Sequence, residues 1–162
     1  MSDFFKYQDG PAKSGGAVPA PATEATHAIL TELASEDWEH LIRFAARRRF
    51  AAGAVLVRAG ESDRALHFVA SGQVKLQLPG EPPGALPSVR GEGEIFGALS
   101  FLDGAPSAVT VTVSAAGPAE VLRITPEALQ QLAAWQPRIA MEMLRELGAH
   151  VAARLRRLQA AD

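Results

Sequence analysis

Apolar and polar positions change their spacing twice along this 162-residue chain, from helical to strand-like and back. Trp38, Leu41, Ile42 and Ala45 fall at i, i+3, i+4 and i+7, the stripe of an amphipathic helix. Ser35 stands before them as an N-cap residue, and Glu36 and Asp37 put negative charge into the first turn. The spacing predicts a helix over 36–46, in a region that turns helical from Ala25. Arg47, Arg48 and Arg49 follow. Cations suit a helix C-terminus, so this run reads as solvated capping charge rather than a nucleic-acid patch.

Between Phe50 and Ile124 the helical period is gone. Short apolar or alternating runs at 55–57, 65–70, 73–78, 107–113 and 120–124 read as strands, with Gly53, Gly60, Gly72, Gly97 and Gly104 among the punctuation. The stretch 79–87 (PGEPPGALP) cannot be a central strand and reads as a long hairpin tip. The helical period returns at Thr125, with an N-cap hydroxyl, Pro126 at the first helical position and Glu127 behind it. That predicts a helix over 126–134, and Pro137 restarts a second over 137–160. Leu144, Leu147, Val151, Leu155 and Leu158 recur on it at spacings of three and four. Such a helix is about 35 Å long at ~1.5 Å per residue. The predicted fold class is mainly β with flanking α-helices: an antiparallel, jelly-roll-like β-roll with N-terminal helices and a long C-terminal helix.

Composition narrows the setting. The chain is 48% hydrophobic and 21% charged, enough for one domain with a real core. Sixteen basic against eighteen acidic residues leave a net charge of -2, without the basic excess of a protein that grips many phosphates. Cysteine is absent, which removes disulfides and thiolate chemistry together. No run approaches the length of a membrane span and no secretory pattern opens the chain, so a soluble cytoplasmic protein is expected. The segment 9–23 (DGPAKSGGAVPAPAT) cannot bury enough surface to offset its ordering entropy. Residues 1–24 therefore read as a tail and 25–162 as the domain. Phe4, Phe5 and Tyr7, three of the ten aromatics, lie in that tail. They read as a docking peptide for a protein partner, a strap on the domain, or a frayed terminus.

Catalytic chemistry finds little to hold. His27, His40, His67 and His150 are the only histidines, with no two at metal-ligand spacing. His67 reads as a partly buried strand residue with an ordinary hydrogen bond. Neither a nucleophile elbow nor a glycine-rich phosphate loop is present. No metal, cofactor or enzymatic activity is expected.

The most informative stretch is 93–111 (GEIFGALSFLDGAPSAVTV): a strand to Gly97, a short helix, then a new strand. It resembles the phosphate-binding cassette of the cyclic-nucleotide-binding domain, the β-roll of bacterial catabolite activators and kinase regulatory subunits. The resemblance extends through FAAGAVL at 50–56, RAGE at 58–61 and LHFVASGQVK at 66–75 to the closing helices. It implies that the short helix presents backbone N–H groups to a cyclic phosphate, a site that includes Gly97, Ala98 and Leu99. It also implies a Glu for the ribose hydroxyl, an Arg for the phosphate, and a hydroxyl donor after the Arg. Those three positions are Ala98, Ser107 and Ala108 here.

From Gly91 to Leu122 the chain has no Lys or Arg at all. A buried phosphate would need a cation from elsewhere: Arg58, Lys75, Arg90, Arg123 or an arginine of the last helix. The expectation is a regulatory or scaffolding protein that has lost cyclic nucleotide binding and acts through protein–protein interaction. The alternative is a genuine small-molecule sensor that binds a cyclic nucleotide by other contacts, or a less charged ligand in the same pocket. The leucine stripe predicts a homodimer through the last helix, or else a lid folded over the pocket mouth. Only Gln159 to Asp162 follow Leu158, so direct DNA binding by a helix-turn-helix domain is not expected.

Overall fold

The computed structural model describes residues 27–82 and 84–161. Helix α1 (Ser35–Ile42) leads into β1 (Ala46–Phe50), β2 (Val55–Val57), β3 (Leu66–Ser71), β4 (Val74–Gln77), β5 (Ser88–Arg90) and β6 (Ile95–Phe96). The short helix α2 (Ala98–Asp103) separates these from β7 (Thr110–Val113) and β8 (Ala119–Ile124), and α3 (Pro126–Trp135) and α4 (Pro137–Ala160) follow. Two four-stranded sheets, ordered β1-β8-β3-β6 and β2-β7-β4-β5, contain only antiparallel pairs. This is the expected β-roll with a long final helix.

The period of two along the central strands explains the layering. In β3, Leu66, Phe68 and Ala70 join the core under the helices, whereas Val69 joins the core between the sheets. In β8, Leu122 and Ile124 face the helices, and Ala119 and Val121 face the second sheet. Trp38, Leu41 and Ile42 of α1, Leu132 of α3, and Ile139, Met143 and Leu147 of α4 complete the helical side. Thr125 caps α3 as expected, its hydroxyl accepting from the Ala128 N–H at 3.1 Å.

Several expectations change. Residues 27–34 are not helical: Ala28 bridges to Glu94, and α1 begins only at Ser35. Ala34 holds the N-cap position, with no side-chain bond, and Ser35 is already inside the helix. The helix ends at Ile42 instead of 46, because Phe44 and Ala45 bond back to Leu41 and Ile42 in a tight turn. Arg47, Arg48 and Arg49 are consequently not helix caps. They lie on β1, the edge strand beside β8, where exposed charge is tolerated and blunts edge-to-edge pairing. Arg47 pairs with Glu120 at 3.0 Å. The run 107–113 becomes a strand only from Thr110, since Ser107 closes a turn onto Val109. Phe4, Phe5 and Tyr7 lie outside the described residues.

Candidate functional site

The cassette forms because two glycines frame a six-residue helix. Gly97 has φ 85° and stands at the N-cap of α2, and Gly104 has φ 75° at its C-cap. A Cβ at residue 97 would come within 2.6 Å of the Ala65 carbonyl oxygen, so both conformation and space require glycine there. Arg64 secures the far end, its Nε donating to the Phe101 carbonyl at 3.4 Å.

The cassette closes one side of a cavity of about 410 Å³. Gly97, Ala98, Leu99, Ser107 and Ala108 all line it, so the structure brings together the five site residues read from the sequence. Ala98 is a buried methyl, whereas Leu99 is half exposed. The Ser107 hydroxyl donates to the Val109 carbonyl at 2.7 Å and is committed to its own turn. Leu76 and Leu86 from the β4–β5 hairpin supply apolar wall.

Three further lining residues are basic: Arg90 from β5, and His150 and Arg154 from α4. Of the cations considered from sequence, Arg90 and Arg154 reach the cavity; Arg58, Lys75 and Arg123 are not in its wall. Arg90 is only 6% exposed. Its Nε donates to the Ile95 carbonyl at 3.1 Å and its terminal nitrogen to the Val89 carbonyl at 3.3 Å. Among the described residues no carboxylate lies within ion-pairing distance of it. Nearby Glu94 is engaged by backbone, accepting from Gly91 at 2.8 Å and His27 at 3.3 Å. Burial works against the Arg90 charge and lowers its pKa; Glu94 opposes this and Arg154 adds to it.

The imidazoles beside it feel the same field. His27 and His150 meet edge to face with centroids 5.4 Å apart. Burial, then Arg90, His150, Arg154 and Arg157, push His27 down to about 4. Burial and the same arginines lower His150. Both rings are therefore neutral at pH 7, and the guanidinium groups beside them can bind and orient an anion.

A second polar cluster joins the paired central strands β3 and β8. Asp63 accepts from His67 Nε2 at 2.8 Å and from Arg123 at 2.9 Å. His67 is buried and hydrogen-bonded, as expected, and stacks on Phe96 with centroids 4.5 Å apart.

On α4 the leucine stripe divides. Leu147 is fully buried against the core, while Leu144, Leu155 and Leu158 are exposed. His150 and Arg154 face the cavity from the same helix. The outer leucines are thus not hidden by closure over the pocket mouth.

This architecture matches known proteins. The family model described as the cyclic nucleotide-binding domain matches residues 47–134. The catabolite activator protein of Thermus thermophilus is 27% identical, with a TM-score of 0.66 over 80% of this chain and 58% of that one. The chain therefore spans under two thirds of that relative's length. The N-terminal domain of a transcriptional regulator from Streptomyces coelicolor A3(2) is also 27% identical, with a TM-score of 0.64 over 82% of this chain and 91% of that one. A cyclic nucleotide-binding domain from Methylobacillus flagellatus KT shares the fold at 23% identity, with a TM-score of 0.65 over 77% of this chain and 70% of that one. No curated protein matches in sequence. The family model covers more than half of the chain, including the strands and the cassette that enclose most of the cavity, and the protein belongs to the cyclic nucleotide-binding domain family.

Proposed function

We propose that this protein is a cytoplasmic regulatory or scaffolding module that works by protein contact, paired with a second copy along α4. It does not hold cyclic AMP or cyclic GMP through its cassette. The observation that carries this reading is the outer face of α4. Met141 is 72% exposed, Leu144 42%, Leu155 54% and Leu158 66%. With Gly148 and half-buried Val151 they form a row at alternating spacings of three and four, the seam of a two-helix coiled coil. A Cβ at Gly148 would meet nothing within 4 Å, so that point leaves room for a neighbouring backbone. Burying each leucine contributes roughly 1.5–3 kcal/mol, enough in combination to offset the association cost. Phe4, Phe5 and Tyr7 are the proposed contact for a different protein partner.

Sedimentation velocity tests the pairing. The wild type should run as a dimer at tens of micromolar and Leu155→Asp as a folded monomer with unchanged circular dichroism. A wild-type monomer at that concentration overturns it. Loss of cassette recognition is supported by Ala98, Ser107 and Ala108 standing where the resemblance calls for Glu, Arg and a hydroxyl. A sensor of a different small molecule is the second reading, favoured by Arg90 and Arg154 in the cavity wall.

A further inference from the structure

The cavity wall keeps its positive charge while the cassette has none. Arg90 is buried without a carboxylate partner among the described residues, which is costly unless something else supplies the counter-charge. Arg154 approaches it from α4 closely enough to act on its charge, although like charges repel. His150 lines the same wall, and His27 stands behind it with a buried Nδ1 that has no hydrogen-bond partner among the described residues. Arg157 adds its field to both rings.

No carboxylate nearby pairs with Arg90 or Arg154 among the described residues. Glu94 is held by two backbone N–H groups. Glu81 and Asp103, also in the cavity lining, accept from the Leu78 and Ala105 N–H groups at 2.9 and 2.8 Å. The described residues thus leave two guanidinium groups and two neutral imidazoles converging without an anion.

We propose that Arg90 and Arg154, with His150 beside them, form a phosphate subsite on the β5 and α4 side of the cavity, and that the ligand is a phosphate monoester with a compact apolar or planar body. Two guanidinium forks match a dianion, and a phosphate monoester is mostly dianionic at neutral pH because its second pKa is about 6. A cyclic phosphodiester or a carboxylate brings one charge and leaves one guanidinium unpaired. The apolar part meets Leu76, Leu86 and Ala98. A cavity of about 410 Å³ holds a ligand of that size. The inference builds on the second reading above and is independent of α4 pairing.

The test uses the full chain, with phenyl phosphate as the probe and benzoate as the singly charged control. Proton–carbon NMR follows the imidazole titrations of His27 and His150. Phenyl phosphate should raise both apparent pKa values by supplying the missing counter-charge, and benzoate should do so weakly. Arg154→Gln, on a half-buried side chain, should weaken phenyl phosphate about tenfold or more. Arg90→Met should do the same, with the fold checked by circular dichroism. Imidazole titrations that ignore millimolar phenyl phosphate overturn the proposal, as does an Arg154→Gln variant that binds like the wild type. Sedimentation of the same samples reads α4 pairing separately, so failure of the subsite and failure of the dimer are distinguishable.

Discussion

Two polar clusters adjoin Phe96, and they handle charge in opposite ways. On the central strands β3 and β8, the Asp63 carboxylate accepts from His67 Nε2 and from Arg123, while His67 Nδ1 has no partner among the described residues. On the cavity side, Arg90 and Arg154 act on one another beside two neutral imidazoles, with no carboxylate bonded to either arginine among the described residues. The first cluster is closed and belongs to the fold: removing any member leaves a buried group without its partner. The second is open: no carboxylate among the described residues pairs with its arginines, so it should contribute little to the fold. A buried polar group by itself does not separate structure from function; the presence or absence of an internal counter-charge does.

The largest effect expected is on the closed cluster. Asp63→Ala strands Arg123 and the His67 N–H together and should cost about 2–3 kcal/mol in urea denaturation. A loss below about 0.5 kcal/mol, the range of an ordinary surface substitution, would erase the contrast.

Acid reads the Asp63 carboxylate and the buried imidazoles at different pH. Asp63 falls from 3.8 to about 2, chiefly through its hydrogen bond from His67. A depressed carboxylate stabilises the fold above its unfolded pKa, so about 2 kcal/mol should disappear as pH drops from about 4 toward 2. His27 falls from 6.5 to about 4. Its folded form stays neutral while the unfolded chain takes up a proton, so stability should already decline between pH 6.5 and 4. Burial lowers His150 and His67 as well, so His27→Phe should shrink that upper step without abolishing it and leave the lower one in place. A single step below pH 4 in the wild type would contradict the open cluster.

A paired substitution gives the smallest effect and the finest comparison. Arg123→Met should cost about 1–2 kcal/mol, because it removes the cation facing Asp63. Arg90→Met should change stability by less than about 1 kcal/mol, since relief of repulsion and burial offsets its two carbonyl bonds. Equal losses from the two would mean that Arg90 is structural as well.

How much of this is legible in sequence follows from the distance each signal spans. The cassette is readable because Gly97 and Gly104 frame a short helix within a local stretch. Strand β3 is readable as a mostly apolar run buried on both faces, and β8 by Val121, Leu122 and Ile124 despite Glu120 and Arg123. Strand β1 is hidden because Arg47 to Arg49 follow an amphipathic stripe, and local logic cannot tell a helix end from an edge strand. β5 and β6 are too short to show a period. Arg90 shows in sequence only as the last cation before a basic-free stretch, and Arg154 lies far along the chain. Only the folded roll brings them to one wall. On α4, spacings of three and four mix two rows: Ile139, Met143 and Leu147 inward, and Met141, Leu144, Leu155 and Leu158 outward. Sequence period identifies both faces and assigns neither to its partner.

Calorimetry with cyclic AMP and cyclic GMP tests the central claim most directly, that the cassette has ceased to hold cyclic nucleotides while its shape persists. Neither nucleotide should give saturable heat below about 100 μM, a limit of roughly -5.5 kcal/mol. Ala98→Glu combined with Ser107→Arg should gain affinity on the same backbone. Saturable micromolar binding of either nucleotide to the wild-type protein would contradict the account.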